Sequence, residues 1–214
     1  MRDKLQKAPF LLFLLVMPIL GSIYKLLNNH PRDAVILSTK VDTAIPFIPA
    51  FIVPYIFWYI FIVGYLVYFC FKDTKVYLKT LGVIVIGELI CFIIYFFFQT
   101  TVPRPMLRGD GLFIDLVGMI YQHDQPFNCF PSIHVLTTFA IMLGSIHIKN
   151  KSLFHSVFIP LIGSMIIIST LFVKQHFILD MFGSMFLTTF VYGIVFELLH
   201  VPVAEKSRTL YVKK

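Results

Sequence analysis

The sequence predicts an all-α membrane protein: a bundle of six transmembrane helices with both termini on the cytoplasmic side. Three observations carry that prediction. Hydrophobic residues make up 58% of the 214, charged residues only 14%, and the mean hydropathy is +0.85, well outside the range of soluble domains. Apolar runs of about 20 residues, the length that crosses a bilayer, recur along the chain. Lysine and arginine collect in alternate segments between those runs.

The runs cover roughly residues 8–27, 49–71, 77–99, 132–148, 153–173 and 177–199. The first follows Arg2, Lys4 and Lys7 as a signal peptide would, yet no small-x-small cleavage site follows it and further runs come after. It is therefore an uncleaved first span. The second opens at Pro49 and ends before Lys72, and the third ends at Gln99. The fourth is the shortest and opens at Ser132, directly after Pro131; the fifth follows Lys149 and Lys151, and the sixth starts just past His176.

The N-terminus, the segment with Lys72, Lys75 and Lys79, the segment with Lys149 and Lys151, and the tail with Lys206, Arg208, Lys213 and Lys214 fall on one side, which the positive-inside rule makes cytoplasmic. The other side holds Lys25, Arg32, Lys40, Arg104, Arg108 and Lys174 over more chain. The expectation is a multi-pass protein of the cytoplasmic membrane, built as a single domain over residues 1–214. The net charge of +7 is accounted for by inside loops and anionic lipid headgroups, and no basic, aromatic-interleaved patch points to nucleic acid. Of three cysteines, Cys70 and Cys91 lie in apolar runs; Cys129 stands alone in an outside loop, where it is a small loop residue before it is a reactive thiol.

Two outside loops are longer than a connection needs. Residues 28–49 carry Pro31, Pro46 and Pro49 around Val35, Ile36 and Leu37, a pattern suited to lying along the interface. Residues 100–131 carry Arg104-Pro105 and lead into Pro131-Ser132-Ile133-His134.

The polar residues in this apolar chain need a reason. His176 and Asp180 stand four apart at the outer start of the sixth run, hence on one helical face. A carboxylate there can fix the imidazole tautomer and leave the other ring nitrogen free to attack phosphorus. His134 sits at the outer start of the fourth run, behind a Pro-Ser helix start whose N–H groups and hydroxyl favour anionic oxygens; it is placed to protonate a leaving oxygen. Arg104 offers a bidentate phosphate anchor, and Lys174 adds a second cation at the same level.

Arg104-Pro105, Pro131-Ser132-x-His134 and His176-x-x-x-Asp180, in that order and with six spans, resemble the type 2 phosphatidic acid phosphatase superfamily of membrane lipid phosphatases and phosphotransferases. The resemblance covers about residues 40–195. It implies a phosphohistidine on His176, an orienting Asp180, a general acid at His134, phosphate binding by Arg104, Ser132 and Lys174, a lipid phosphate substrate and no metal or cofactor. Two positions depart from the family pattern. Phe97 stands where a lysine precedes the arginine, and Thr170 takes the substrate-binding position of an arginine before the nucleophilic histidine. The runs Thr101-Val102-Pro103-Arg104-Pro105, Asn128-Cys129-Phe130-Pro131-Ser132 and Lys174-Gln175-His176 look closest to the branch that includes inositol phosphorylceramide synthases. Fewer cations suit a diester or headgroup transfer, which carries less charge than a monoester.

Two other readings stay open. Glu88, near the middle of the third run, would also suit a proton-coupled lipid carrier or flippase, though no inverted repeat is present. A zinc hydrolase using His134, His176 and Asp180 lacks any strong ligand spacing.

Overall fold

The computed structural model describes residues 2–198; the basic tail residues Lys206, Arg208, Lys213 and Lys214 lie outside the described residues. The described residues are helical with no strand beyond two isolated bridges. Helices α1 (Arg2–Lys7) and α2 (Val16–Asn28) are joined by a 3₁₀ segment, Ala8–Leu15. Pro9 and Pro18 each withhold an N–H from the ladder there, which favours the tighter winding. The remaining helices are α3 (Lys40–Ala44), α4 (Ile52–Lys72), α5 (Thr74–Phe97), α6 (Leu112–His123), α7 (Ile133–Ile146), α8 (Leu153–Phe172) and α9 (Ile178–Gly193), the last continuing into a π turn at Ile194–Leu198.

Among the described residues, five helical stretches are long and apolar enough to cross a membrane: Leu5–Asn28, Pro49–Lys72, Thr74–Phe97, Leu153–Phe172 and Ile178–Leu198. This is the build of a multi-pass membrane protein. The expected fourth span is the exception. Helix α7 has 14 residues, a length of about 21 Å against a hydrocarbon core of about 30 Å. It is short because Pro131 cannot continue it backwards and the chain turns at His147. In compensation α7 takes the middle of the bundle and packs against α4, α5, α8 and α9.

Apolar burial does not drive helices together in lipid, so close approach through small residues must. A Cβ on Gly144 would lie 2.2 Å from the Thr80 hydroxyl, one on Gly87 2.9 Å from Leu136, and one on Gly163 2.7 Å from the Met142 sulfur. Buried hydroxyls on these helices return to their own backbone: Thr138 donates to the His134 carbonyl at 2.6 Å and Thr188 to that of Ser184 at 2.7 Å.

The ends of the bundle differ. At one end Lys7 donates to the Phe71 carbonyl and Lys79 to that of Phe196, which gathers the basic segments. At the other end the two long loops carry structure of their own. The residue 100–131 segment, expected as a loop, holds α6, whose apolar residues pack Val117 against Ile52, Tyr55 and Val173. The residue 28–49 segment forms a strap: Val35 bridges to Thr100, Thr101 bridges to Phe127, and the Ile48 N–H donates to the Phe172 carbonyl at 3.0 Å.

Candidate active site

All three motifs reach the strapped end of the bundle. Between α8 and α9 the chain turns on Thr170, whose carbonyl accepts the N–H of Gln175 at 3.0 Å and of His176 at 3.1 Å. The Thr170 hydroxyl donates to Ile167 in its own helix, and the side chain is fully buried. Lys174 adopts φ +53°, a left-handed conformation that non-glycine residues seldom take. Its ammonium donates to the carbonyls of Ile45 at 2.5 Å and Asp42 at 3.5 Å, so it faces the strap. Burial lowers its pKa, and the Asp42 carboxylate opposes that shift. Asp42 in turn accepts the Ile178 N–H at 2.8 Å through one oxygen and the N–H and hydroxyl of Thr39 at 2.7 Å through the other. The strap thereby clamps the start of α9.

His176 is almost buried. Its Nδ1 lies 3.0 Å from the Cys129 carbonyl and 3.5 Å from Asp180 Oδ2. A carbonyl only accepts, so Nδ1 carries the proton and Nε2 keeps its lone pair. Asp180 is fully buried; its Oδ2 accepts the Phe177 N–H at 2.8 Å and its Oδ1 has no partner. The carboxylate thus caps α9 and stands beside the imidazole.

Ser132 caps α7 by accepting the Val135 N–H at 3.4 Å, and its own N–H points to the Asp180 carbonyl. Two residues on, the His134 ring stacks on Tyr55 (4.6 Å between centroids) and against Trp58 (4.2 Å). Its centroid is 6.2 Å from that of His176, and its Nε2 is buried without a partner. Arg104 lies over the Tyr121 ring, donates to the Tyr121 carbonyl at 2.9 Å, and donates through Nη2 to Gln175 Oε1, the residue before His176. Its Nε is buried and unpartnered.

The loop before α7 is held by residues the motifs do not contain. The Thr100 hydroxyl accepts the N–H groups of Cys129 (3.0 Å) and Phe130 (2.8 Å), Gln99 donates to Asn128, and the Tyr95 hydroxyl donates to the Pro131 carbonyl. The Phe130–Pro131 bond is cis. Burial, reinforced by Asp180 and Asp124, pushes the Cys129 thiol up, away from a reactive thiolate.

A cavity of about 290 Å³ joins His134 and His176. Its walls come from α2, α4 and α5, with Tyr24, Tyr55, Trp58 and Glu88, and Asp124 and Asn128 line it as well. Arg104, Lys174 and Thr170 do not line it; His176 and His134 do, and Ser132 lies behind them. Asp124, Asn28 and Tyr55 carry no motif signature in the sequence. The one legible sign is an acidic residue at the end of an apolar stretch, Asp124 after residues 112–121. Among the described residues, no group of three His, Cys, Asp or Glu side chains is arranged to hold a metal.

No curated protein and no solved structure matches the chain. A family model does match, over residues 76–202, more than half of the chain and a stretch that contains all three motifs and the short helix α7. With that match the chain belongs to the PAP2 superfamily.

Proposed function

We propose that the protein is a membrane lipid phosphatase that cleaves a lipid phosphate or pyrophosphate at the outer face through a phosphohistidine. The observation that carries this reading is the His176 imidazole, its Nδ1 proton committed to the Cys129 carbonyl beside Asp180 and its ring lining the cavity opposite His134. His176 Nε2 attacks phosphorus, the P–O bond to the leaving group breaks, and His134 Nε2 gives that oxygen a proton. Water then attacks the P–N bond, returns its proton to His134 and releases phosphate. Asp180 stabilises the positive ring of the intermediate, and the phosphate itself favours a protonated His134.

Arg104 acts from behind: its guanidinium positions Gln175 and adds positive potential at the site. Lys174 acts in the same indirect way, by pinning the strap. Spans α2 and α4, outside the matched stretch, supply cavity walls, so residues 1–214 work as one unit of six crossings. The basic end faces the cytoplasm and the site the other side. The headgroup enters from the bilayer between α2 and α4: the 3₁₀ segment packs on α4 while α2 packs chiefly on α5, leaving Gly21 on the cavity wall with open space beside it.

Phe97 and Thr170, in place of the family's usual cations, also favour a second reading, headgroup transfer or phosphodiester cleavage as in the inositol phosphorylceramide synthase-like branch, in which an acceptor alcohol replaces water. Mass spectrometry of products from monoester, pyrophosphate and diester lipids, with and without acceptor alcohols, separates the readings. Free phosphate marks the phosphatase and a new phospholipid the transferase. Full turnover by His176→Ala or His134→Ala would remove the mechanism, and lipid transport by His176→Ala in liposomes would support a carrier.

A further inference from the structure

The cavity carries a second set of polar groups that the phosphoryl chemistry leaves unused. Asp124 follows α6 and points its Oδ1 at two groups of α2, accepting from the Tyr24 hydroxyl at 2.8 Å and from Asn28 Nδ2 at 2.6 Å. Asn28 also donates to the Tyr24 oxygen at 3.0 Å, which leaves its own Oδ1 buried without a partner. The Tyr55 hydroxyl is likewise buried and unpartnered, on a residue 1% exposed. Asp124, Asn28, Tyr24 and Tyr55 all line the cavity, and Glu88 lies deeper in the same space.

These groups are acceptors for the most part, among aromatic rings. A buried acceptor without a partner is costly, so a wall that keeps two of them favours a ligand that brings a donor. His134, His176 and Asn128 line the same cavity, and the Nδ2 of Asn128 is buried without a partner. A carboxylate lining the same cavity as a phosphate site repels the phosphate unless the ligand brings a positive charge of its own. Burial raises the Asp124 pKa, against the pull of Tyr24 and Arg104, so an anionic Asp124 is uncomfortable until a cation reaches it. Lys25 and His123 also line the cavity, but both are exposed side chains at its outer rim.

We infer that the recess bounded by Asp124, Asn28, Tyr24 and Tyr55 binds an ammonium group of the substrate, so that the preferred lipid phosphoester carries an amine near its phosphorus. Acceptors and aromatic rings, here those of Tyr55, Trp58 and Tyr59 in the same lining, are the two means by which proteins hold alkylammonium groups. At about 290 Å³ the cavity takes a headgroup and its first carbons, with the chains left in the bilayer. The amine can belong to an ethanolamine-type headgroup or to the lipid backbone beside the phosphate, as in a long-chain amino-alcohol phosphate. The inference rests on the phosphatase reading only for the phosphate end of the cavity.

Trp58 is the chain's one tryptophan and lines the cavity, so its fluorescence reports binding without turnover. The His176→Ala protein in detergent is titrated with dodecyl phosphoethanolamine, sphingosine 1-phosphate and dodecyl phosphate. Amine-bearing probes should bind about tenfold more tightly than dodecyl phosphate, and the preferred amine probe identifies the source of the amine. Asp124→Asn, which keeps an oxygen for Tyr24, should bring the ratio to about one. Equal affinities for all three probes in the His176→Ala protein would overturn the inference on their own, with no variant at Asp124 needed, and so would a preference that survives Asp124→Asn. Phosphate release by the wild-type protein is read in parallel: release without amine preference leaves the phosphatase reading standing alone, whereas amine preference in binding without any release overturns that reading and leaves the recess.

Discussion

Replacing Asp180 by asparagine separates two tasks that a carboxylate usually performs together beside a histidine. The first is to fix the tautomer, and here the Cys129 carbonyl already does so, at 3.0 Å from His176 Nδ1. The second is to stabilise the positive ring. At 3.5 Å and an effective dielectric of about 20, a carboxylate and an imidazolium attract by about 4–5 kcal/mol. The Phe177 N–H shares Oδ2 and reduces this, to about 3–4 kcal/mol, or 10²–10³ in rate. The amide oxygen of the substituted side chain can still accept that N–H, so the cap of α9 survives. Asp180→Asn should therefore fold normally and lower kcat by about 10²–10³, with slower formation of acid-labile phosphohistidine in a rapid-quench assay. Loss within threefold would refute the electrostatic role. Loss of about 10⁴, the effect of a wrong tautomer, would refute the assignment of the tautomer to Cys129.

Further outcomes follow from other contacts. Arg104→Lys cannot bridge the Tyr121 carbonyl and Gln175 at once, and kcat/KM should fall by about 10–100-fold, read in the same phosphate-release assay. Gly183→Ala would place a Cβ 2.4 Å from the Phe130 ring and should destabilise by about 1–3 kcal/mol, seen as a lower melting temperature. The raised pKa of Asp124 means the fold binds its proton more tightly than the unfolded chain does. Its contribution to stability is present at acid pH and is lost as pH rises through the folded value. Asp124→Asn should accordingly raise the melting temperature at neutral pH, an advantage that vanishes at acid pH. Cysteines introduced at Met106 and at Lys149 should label from opposite faces of sealed vesicles, against a low background because Cys70, Cys91 and Cys129 are buried.

The long helices are legible in the sequence because a span must be continuously apolar; α4, α5, α8 and, with its π turn, α9 begin and end within a few residues of the runs. What the loops do is not. Helix α6 is amphipathic and short, so a search for spanning length passes over Leu112–His123, and with it Asp124. The His176–Asp180 pair is visible through its i, i+4 spacing, but His176 precedes α9 instead of sharing a helical face with Asp180, which caps that helix. The partner that holds Nδ1 is invisible, since it is a backbone carbonyl contributed by Cys129, and any residue type supplies one. Lys174 shows the converse case: a cation at the right place in the chain whose left-handed backbone and bonds to Ile45 turn it to the strap.

The shortness of α7 bears on where the reaction finds its water. Its missing length is made up by irregular backbone, and Asn128, Cys129, Pro131 and Ser132 are all buried, as non-helical chain at membrane depth must be. On the proposed reading, a phosphate held there lies below the plane of its neighbours' headgroups, and water reaches it by way of the protein. If the proposed chemistry holds, hydrolysis and transfer to an alcohol compete through how wet the recess is, and bilayer thickness, which tilts longer helices around a short one, is expected to bear on that hydration.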